Sequence, residues 1–342
     1  MNRIAFRVDG GKNIGMGHIM RSLVLAKELS KENEVTFISI KNDKDDFKVG
    51  IQKVISQGFK VIEINDKDII DEIEEIQDKY NFHCLITDSY RVNEEYFNSM
   101  KKIFNKIGYI DDVNMCKFNV DFLINQNIDA NKHIYEFYNL KETKVFLGTD
   151  YCLLRDEFRE NNVDRNIKNY VEDILITLGG MDNNNNTLKI LNELKNLDCN
   201  FHVVIGNAFE EDLILRLNEI KKNKNNIFLY QNAIMSEIMK KSDLAISASG
   251  STLYELCAMQ IPVIGLVIAD NQKDICRAMN EKKIIIGIEG EVDTAIKELK
   301  SIVIDIINDK FKRIILIDNQ KKIVNPNGVL NISNEINRIL RS

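Results

Sequence analysis

The first residue in this sequence placed to do chemistry is a histidine set beside glycines at the end of an apolar run. The stretch reads Arg7-Val8-Asp9-Gly10-Gly11-Lys12-Asn13-Ile14-Gly15-Met16-Gly17-His18. Its glycines strip side chains from a turn at the carboxyl end of a strand, the edge where open α/β sheets bind ligands. Gly15 and Gly17 let backbone approach a ligand closely. His18 stands at or just before the first turn of a helix. The positive end of the helix dipole disfavours imidazolium there, so a neutral ring is expected, able to take a proton from water. The same position also suits a helix-capping or merely exposed histidine. No Gly-Lys-Ser/Thr closes the turn, which excludes a P-loop. Met20 stands where a dinucleotide fingerprint has its third glycine, and the second strand ends on Ser39-Ile40-Lys41 rather than on an acid. His83 and His202, flanked by apolar strand residues, read as structural, and His133, in a polar loop, as solvated.

The second half carries two more ligand-type turns. Gly179 and Gly180, followed by Met181 and Asp182, precede a helix and form a nest suited to a diphosphate, although paired glycines are common in ordinary turns. The Asn run at 183–186 reads as a polar turn into that helix. In Ser247-Ala248-Ser249-Gly250-Ser251-Thr252 a buried strand runs into small residues whose amides and hydroxyls can meet phosphate. Glu255 lies one turn into the next helix, where its carboxylate can accept two ribose hydroxyls or simply stabilise the helix dipole. Beside two glycine turns, the ribose reading is favoured. Asn271 and Gln272 begin a helix on the same edge and suit either sugar hydroxyls or N-capping.

Such turns need strands and helices to hold them. Short apolar runs at 3–8, 34–40, 60–64, 84–87, 106–110 and 122–125 alternate with amphipathic stretches such as 19–30 and 69–80. The scheme repeats with runs at 173–178, 201–205, 227–230, 244–247 and 263–266, and helices near 187–196, 210–222, 235–241 and 251–259. Strand and helix in regular alternation predict parallel sheets covered on both faces, hence an α/β chain of two doubly wound, Rossmann-like domains. The polar stretch 160–169 is the expected linker. We therefore expect an N-terminal domain over 1–160 carrying the histidine turn, a C-terminal nucleotide-binding domain over 170–325, and a terminal helix within 326–342, where Ile332, Ile336 and Ile339 recur at helical spacing.

Composition narrows the function classes. The 342 residues are 44% hydrophobic and 29% charged, an ordinary globular balance. With Lys+Arg 46 against Asp+Glu 52, the net charge of −6 makes a general nucleic-acid binder a poor fit. Cys84, Cys116, Cys152, Cys199, Cys257 and Cys276 form no CxxC pair, so reduced thiols in a cytoplasmic protein are expected and a zinc site is not. No apolar run approaches the ~18 residues of a membrane helix, and the first residues lack a signal-peptide pattern.

Five motifs then occur in one order: Arg7-x-Asp9-Gly10-Gly11 through Gly15-x-Gly17-His18-x-x-Arg21-Ser22-Leu23; Gly148-Thr149-Asp150-Tyr151-Cys152-Leu153-Leu154-Arg155-Asp156-Glu157-Phe158; Gly179-Gly180-Met181-Asp182; the segment from Ser247 to Glu255; and Asn271-Gln272. Over about residues 1–275 this series resembles the UDP-2,4-diacetamido-2,4,6-trideoxy-β-L-altropyranose hydrolases of pseudaminic acid biosynthesis and the related spore-coat polysaccharide biosynthesis proteins. The resemblance implies the two-domain GT-B fold, with the domains facing each other across a cleft and UDP held mainly by the second. It implies hydrolysis of a UDP-sugar without metal or cofactor, with His18 activating the water. It marks Arg21, Asp88, Tyr90, Asp111, Asn125 and Asn127 in the first domain as substrate-facing. For Asp111 and Asp112, helix capping is an equal alternative. Two departures stand out: Val324-Asn325-Pro326-Asn327-Gly328 has Asn where Asp is common in the family, and 284–323 is rich in Ile and Lys. Expected partners are the UDP-sugar and other enzymes of the sugar pathway. Two rival readings remain: a glycosyltransferase using the same donor, and a non-catalytic sugar-nucleotide-binding partner.

Overall fold

The computed structural model describes residues 1–11, 14–41, 47–159, 165–182 and 184–341. Two compact units divide them, one built from Met1–Leu154 with Asn327–Ser342 and the other from Arg155–Pro326. Unit 1 runs β1 (Arg3–Val8), α1 (Gly17–Leu29), β2 (Glu34–Ile40), α2 (Lys48–Ser56), β3 (Lys60–Ile64), α3 (Ile69–Tyr80), β4 (Cys84–Asp88), α4 (Glu94–Ile103), β5 (Lys106–Ile110), β6 (Phe122–Asn125) and β7 (Lys144–Leu147). All seven strands are parallel, in the order β3-β2-β1-β4-β5-β6-β7.

Strand β1 shows why these runs make a central sheet. Ile4, Phe6 and Val8 join one buried cluster with α1, and Ala5 joins another on the opposite face. A strand apolar on both sides must be covered on both sides, and the helices between strands supply the cover. The chain order reverses direction across β1 and β4, making the crevice at their carboxyl ends the topological switch point. Val8 pairs in register with Asp88, so both strands deliver their last residues to one level.

Unit 2 runs α5 (Asp156–Arg159), β8 (Asp173–Thr177), α6 (Asn186–Leu194), β9 (Asn200–Ile205), α7 (Glu211–Lys222), β10 (Ile227–Gln231), α8 (Met235–Lys241), β11 (Leu244–Ala248), α9 (Thr252–Ala258), β12 (Val263–Leu266), α10 (Lys273–Glu281), β13 (Ile286–Ile288), α11 (Val292–Asn308) and α12 (Lys310–Gln320). Its parallel sheet is ordered β10-β9-β8-β11-β12-β13, with the switch point between β8 and β11, where Thr177 pairs with Ser247. The Ile- and Lys-rich stretch resolves into β13, α11 and α12, whose Ile296, Leu299, Val303, Ile306 and Leu316 enter the unit's core.

The final helix, α13 (Gly328–Arg341), belongs to unit 1. Val329, Ile332 and Ile336, at helical spacing, pack into the cluster that holds Leu23 and Val24 of α1, each such side chain contributing roughly 1.5–3 kcal/mol of burial. Asn33 donates to Asn337 at 2.9 Å beneath that contact. Of the polar stretch at 160–169, residues 160–164 lie outside the described residues; Arg165 donates to the carbonyls of Ser242 and Met239, and Lys168 binds Glu172 and Asp243, all within unit 2.

Candidate functional site

The glycine turn of unit 1 folds back on itself. Gly11 and Gly15 exchange both backbone hydrogen bonds at 3.0 Å, and Gly15 takes φ +76°, a conformation only glycine adopts without strain. The amide of Gly15 is thus spent inside the turn. Among the described residues, no atom lies within 4 Å of where a Cβ on Gly15 or Gly17 would stand. Lys12 and Asn13, inside the same motif, lie outside the described residues.

α1 begins at Gly17, which sets His18 in its first turn. His18 Nδ1 lies 2.5 Å from Asp88 Oδ1, at the end of β4. Arg21, one turn further along α1, grips the same carboxylate, with Nε 2.7 Å from Oδ2, and also reaches Asp112 Oδ2 at 3.1 Å. Ser22 donates to Asp88 Oδ2 at 3.1 Å, and Tyr90 donates to Asp112 at 2.7 Å while its ring stands edge-on to the imidazole. Arg21 also has a nitrogen 3.1 Å from His18 Nδ1, but a guanidinium cannot accept a proton. The short carboxylate contact therefore assigns the Nδ1 proton to a bond donated to Asp88. In the neutral ring the lone pair is then at Nε2, which has no hydrogen-bond partner among the described residues.

Burial would raise the Asp88 carboxyl, but the Arg21 guanidinium and His18 outweigh it and hold it down to about 2. Burial likewise works against the Arg21 charge, and Asp88 and Asp112 reverse that effect and raise its pKa. The cluster is a compensated set of buried charges rather than a surface salt bridge.

Asp111, Asn125 and Asn127 form a separate buried group. Asp111 accepts the amides of Val113 and Asn114 and the hydroxyl of Tyr135 at 2.7 Å. Asn125 donates to the Tyr135 hydroxyl at 2.9 Å and accepts the Asn127 amide. Burial pushes the Asp111 carboxyl up despite those donors. Asp111 and Asn125 thus shape their own turns; no helix follows Asp111, so its carboxylate ties a local turn rather than capping a helix. Tyr135 joins the group without any motif to announce it.

In unit 2, Gly179 takes φ +97°, and among the described residues no atom lies within 4 Å of where its Cβ would stand. Gly206 packs against Gly180 so tightly that a Cβ there would lie 2.4 Å from the Gly180 carbonyl oxygen. Asp182 caps α6: its carboxylate accepts the amides of Asn186 at 2.8 Å and Thr187 at 2.6 Å. The donors at that helix start therefore already face a carboxylate. Met181 is half-buried beside it, and Asn183 lies outside the described residues.

The neighbouring turn after β11 is differently furnished. Ser249 is fully buried, with its hydroxyl close to the Cys276 thiol. Ser251 is exposed at the cap of α9 and Thr252 opens that helix, while the Leu253 and Tyr254 amides already donate to the Gly250 and Ser251 carbonyls. Gly250 lies beside the Gln272 side-chain amide, whose oxygen accepts the Ile268 amide at 3.0 Å. Asn271 and Gln272 sit in a single 3₁₀ turn before α10 rather than inside a helix. Register across β8, β11 and β12 thus gathers the residues around 179, 250 and 272 on one sheet edge. Glu255, one turn into α9, is held in a forked ion pair by Arg155, at 2.7 and 2.9 Å. Burial raises the Glu255 carboxyl and Arg155 pulls it back.

The remaining histidines and cysteines have other duties. His83 accepts the Arg3 amide at 3.0 Å, and His202 is fixed between Asp173 at 2.8 Å and the Tyr230 hydroxyl at 2.9 Å. His133, expected in solvent, is instead half-buried 3.8 Å from Asp129, because the 3₁₀ turn at Ala130–Lys132 folds the loop inward. All six cysteines carry free thiols. Among the described residues one acidic trio, Glu172, Asp173 and Asp243, is close enough to hold a metal ion. It lies at the amino-terminal edge of its sheet, and Lys168 Nζ already sits 2.7 Å from Glu172 and 3.1 Å from Asp243. No helix among the described residues is long and apolar enough to cross a membrane.

Two parallel sheets of Rossmann order, each with glycine- or serine-rich turns at the switch point, define a protein of the GT-B fold. Solved structures agree: MurG of Acinetobacter baumannii matches with a TM-score of 0.66 at 11% identity, covering 99% of this chain and 100% of that one. A UDP co-structure of MnaA from S. aureus gives 0.65 at 13% identity, over 100% of this chain and 97% of that one. In sequence, the chain is 26% identical over 283 residues to the UDP-2,4-diacetamido-2,4,6-trideoxy-β-L-altropyranose hydrolase of Campylobacter jejuni, covering 82% of this chain and 93% of the relative. It is 26% identical over 274 residues to the spore coat polysaccharide biosynthesis protein SpsG of Bacillus subtilis, covering 77% of each. An uncharacterized protein of Methanocaldococcus jannaschii is 32% identical over 284 residues, 80% of this chain, and the chain spans 57% of that relative's length. No protein-family model matches the chain. In sequence the chain is thus similar to these hydrolases and to the spore-coat protein.

Proposed function

We propose that the protein hydrolyses a UDP-linked 2,4-diacetamido-2,4,6-trideoxy sugar, releasing UDP and the free sugar for nonulosonic (pseudaminic) acid synthesis. The observation that carries this reading is the His18–Asp88 pair. With Nδ1–H donated to a carboxylate that Arg21 keeps ionised, Nε2 is the basic nitrogen and its ring is held in one orientation. Such a histidine suits removal of a proton from water.

In the proposed reaction the water oxygen bonds to the anomeric carbon and its proton passes to His18 Nε2. The bond from that carbon to the β-phosphate oxygen breaks, and its electron pair leaves with UDP. UDP is a good leaving group, so no strong general acid is required. Charge growing on the phosphate would be met in unit 2 by the amides of Gly250, Ser251 and Thr252, by the hydroxyls of Ser249, Ser251 and Thr252, and by the turn at Gly180 and Met181. Glu255 would accept the ribose hydroxyls, with Asn271 and Gln272 contributing amides. In unit 1, Gly15, Gly17 and Tyr90 would border the sugar. Arg21 and Asp88, already engaged with each other and with His18, would act by fixing the base. Asp111, Asn125, Asn127 and Asp182 would shape the turns that carry these groups. No step calls for a metal.

A transferase reading is favoured by one observation, the likeness of the fold to MurG. Incubation with the UDP-sugar alone separates the two: release of UDP without an acceptor supports the hydrolase, and release only with an acceptor supports the transferase. Binding without turnover in either case would leave a sugar-nucleotide-binding role. Addition of EDTA should leave the rate unchanged.

A further inference from the structure

The buried polar cluster around His18 has an apolar border in unit 1. Tyr90, Val113, Met115 and Ile134 leave 38, 36, 37 and 86% of their surface exposed. Apolar residues exposed singly carry no message, but these are tied to one another and to the base. The Tyr90 ring stands 4.5 Å from the imidazole, centre to centre, and its hydroxyl donates to Asp112, the residue before Val113. Asp111 accepts the amides of Val113 at 3.3 Å and Asn114 at 3.1 Å, closing a tight turn with Asn114 at φ +51°. The Asn114 side chain donates to the Ile134 carbonyl at 3.0 Å, and the Tyr135 hydroxyl donates to Asp111 at 2.7 Å. Those amides are spent inside the turn, and the exposed side chains around them are hydrocarbon.

We propose that Val113 and Met115, with Ile134 beside them, are specificity-determining residues that recognise the methyl groups of the sugar's acetamido substituents. An acetamido group carries its methyl at the far end of a planar amide, away from the sugar ring. Its contact therefore falls on residues set back from the base that faces the anomeric carbon. Val113 is set back in this way, one residue beyond Asp112, which Arg21 and Tyr90 join to the His18 cluster. A methyl gains by leaving water there, whereas a polar substituent loses water and finds no free amide of Val113 or Asn114 in exchange. The inference rests on the reading of the substrate as an acetamido sugar nucleotide and adds the residues that select its acyl groups.

The test is calorimetric titration of the full chain with three ligands: the UDP-2,4-diacetamido-2,4,6-trideoxy sugar, its 2,4-diformamido analogue, and UDP. His18→Asn serves as the parent, so that no ligand turns over, and Val113→Thr and Met115→Gln are added to it singly and together. Both substitutions keep the approximate size of an exposed side chain, where stability changes little. The parent should bind the diacetamido sugar about tenfold more tightly than the formamido analogue, the worth of burying two methyl groups. The double variant should lose most of that preference while binding UDP as the parent does. A preference that survives both substitutions overturns the proposal and leaves the patch to another occupant, such as a protein partner. A parent without any preference, or variants that weaken UDP equally, also overturn it. Turnover by the wild-type chain is measured separately: a chain that keeps the acyl preference yet releases no UDP defeats the hydrolase reading alone.

Discussion

His18 and Asp88 stand 70 residues apart in the chain and 2.5 Å apart in the molecule. β1 and β4 are neighbours in the first sheet, with Val8 level with Asp88. The turn that leaves β1 carries the histidine back over the end of β4. Asp88 is held as well by Arg21 and Ser22 of the same helix, so the imidazole meets a carboxylate that cannot turn away.

Replacing His18 by Asn should remove turnover while leaving UDP affinity nearly intact. General base catalysis is worth ~10²–10⁴ in rate, so kcat should fall by at least the lower figure. UDP release followed beside UDP titration gives both quantities. A variant that keeps its full kcat excludes the histidine from the chemistry.

Asp88→Asn keeps the shape of the side chain and removes its charge. The amide can offer its NH₂ to His18 Nδ1 and so favour the wrong tautomer. We expect kcat to drop by about 10² or more, the lower range of base catalysis, with a small change in KM. Arg21 keeps Asp112 as its remaining acid. Breaking a buried ion pair costs about 3–5 kcal/mol, which a chemical denaturation midpoint will show. Unchanged stability together with unchanged kcat would dismiss the cluster as incidental.

Acid should act through the same carboxylate. Asp88 titrates near 2 in the fold against ~3.9 in an unfolded chain. A depressed acid stabilises the fold fully above its unfolded value, and that contribution disappears as pH falls through the folded one. The stability gap between wild type and Asp88→Asn should therefore be constant from pH 7 to about 5 and should close between about 4 and 2. Urea midpoints measured across that range test it; a gap that widens in acid contradicts the sign.

Glu255→Ala should weaken UDP binding by about tenfold or more, because two hydrogen bonds to a charged acceptor are lost. Turnover at saturating substrate should fall much less than in the His18 variant. Calorimetry that finds UDP affinity unchanged removes Glu255 from the nucleotide site.

Gly206→Ala drives a methyl group to within 2.4 Å of the Gly180 carbonyl oxygen. Backbone cannot yield as a side-chain tip would, so a loss of about 1–3 kcal/mol is expected. The displaced Gly179–Gly180 turn should also weaken UDP binding. A melting temperature equal to wild type would show that the turn adapts.

Much of this molecule was legible in its order of residues. Strands apolar at nearly every position and helices apolar on one face announce covered parallel sheets, and the expected bounds of β1, β2, β3, β5 and β6 agree with those observed. That information is local, carried by periodicities of two and of about 3.6 residues. The glycine turn, His18 and the small-residue turn before α9 were likewise visible as types and spacings. Short β7 and β13 were not: β7 opens on a lysine and β13 is three residues with a central glycine, too little apolar run to stand out.

What the chain order could not supply was partnership. Asp182 reads in sequence as part of the diphosphate turn, and only the folded turn brings the Asn186 and Thr187 amides onto it. Tyr135 carries no motif, and Arg155 meets Glu255 across 100 residues. Strand order decides such meetings, and strand order follows from how whole faces bury against one another, a property of the assembled sheet rather than of any one segment. The residue types fixed what chemistry was available; the packing of the sheets determined which acid each base and each arginine would meet.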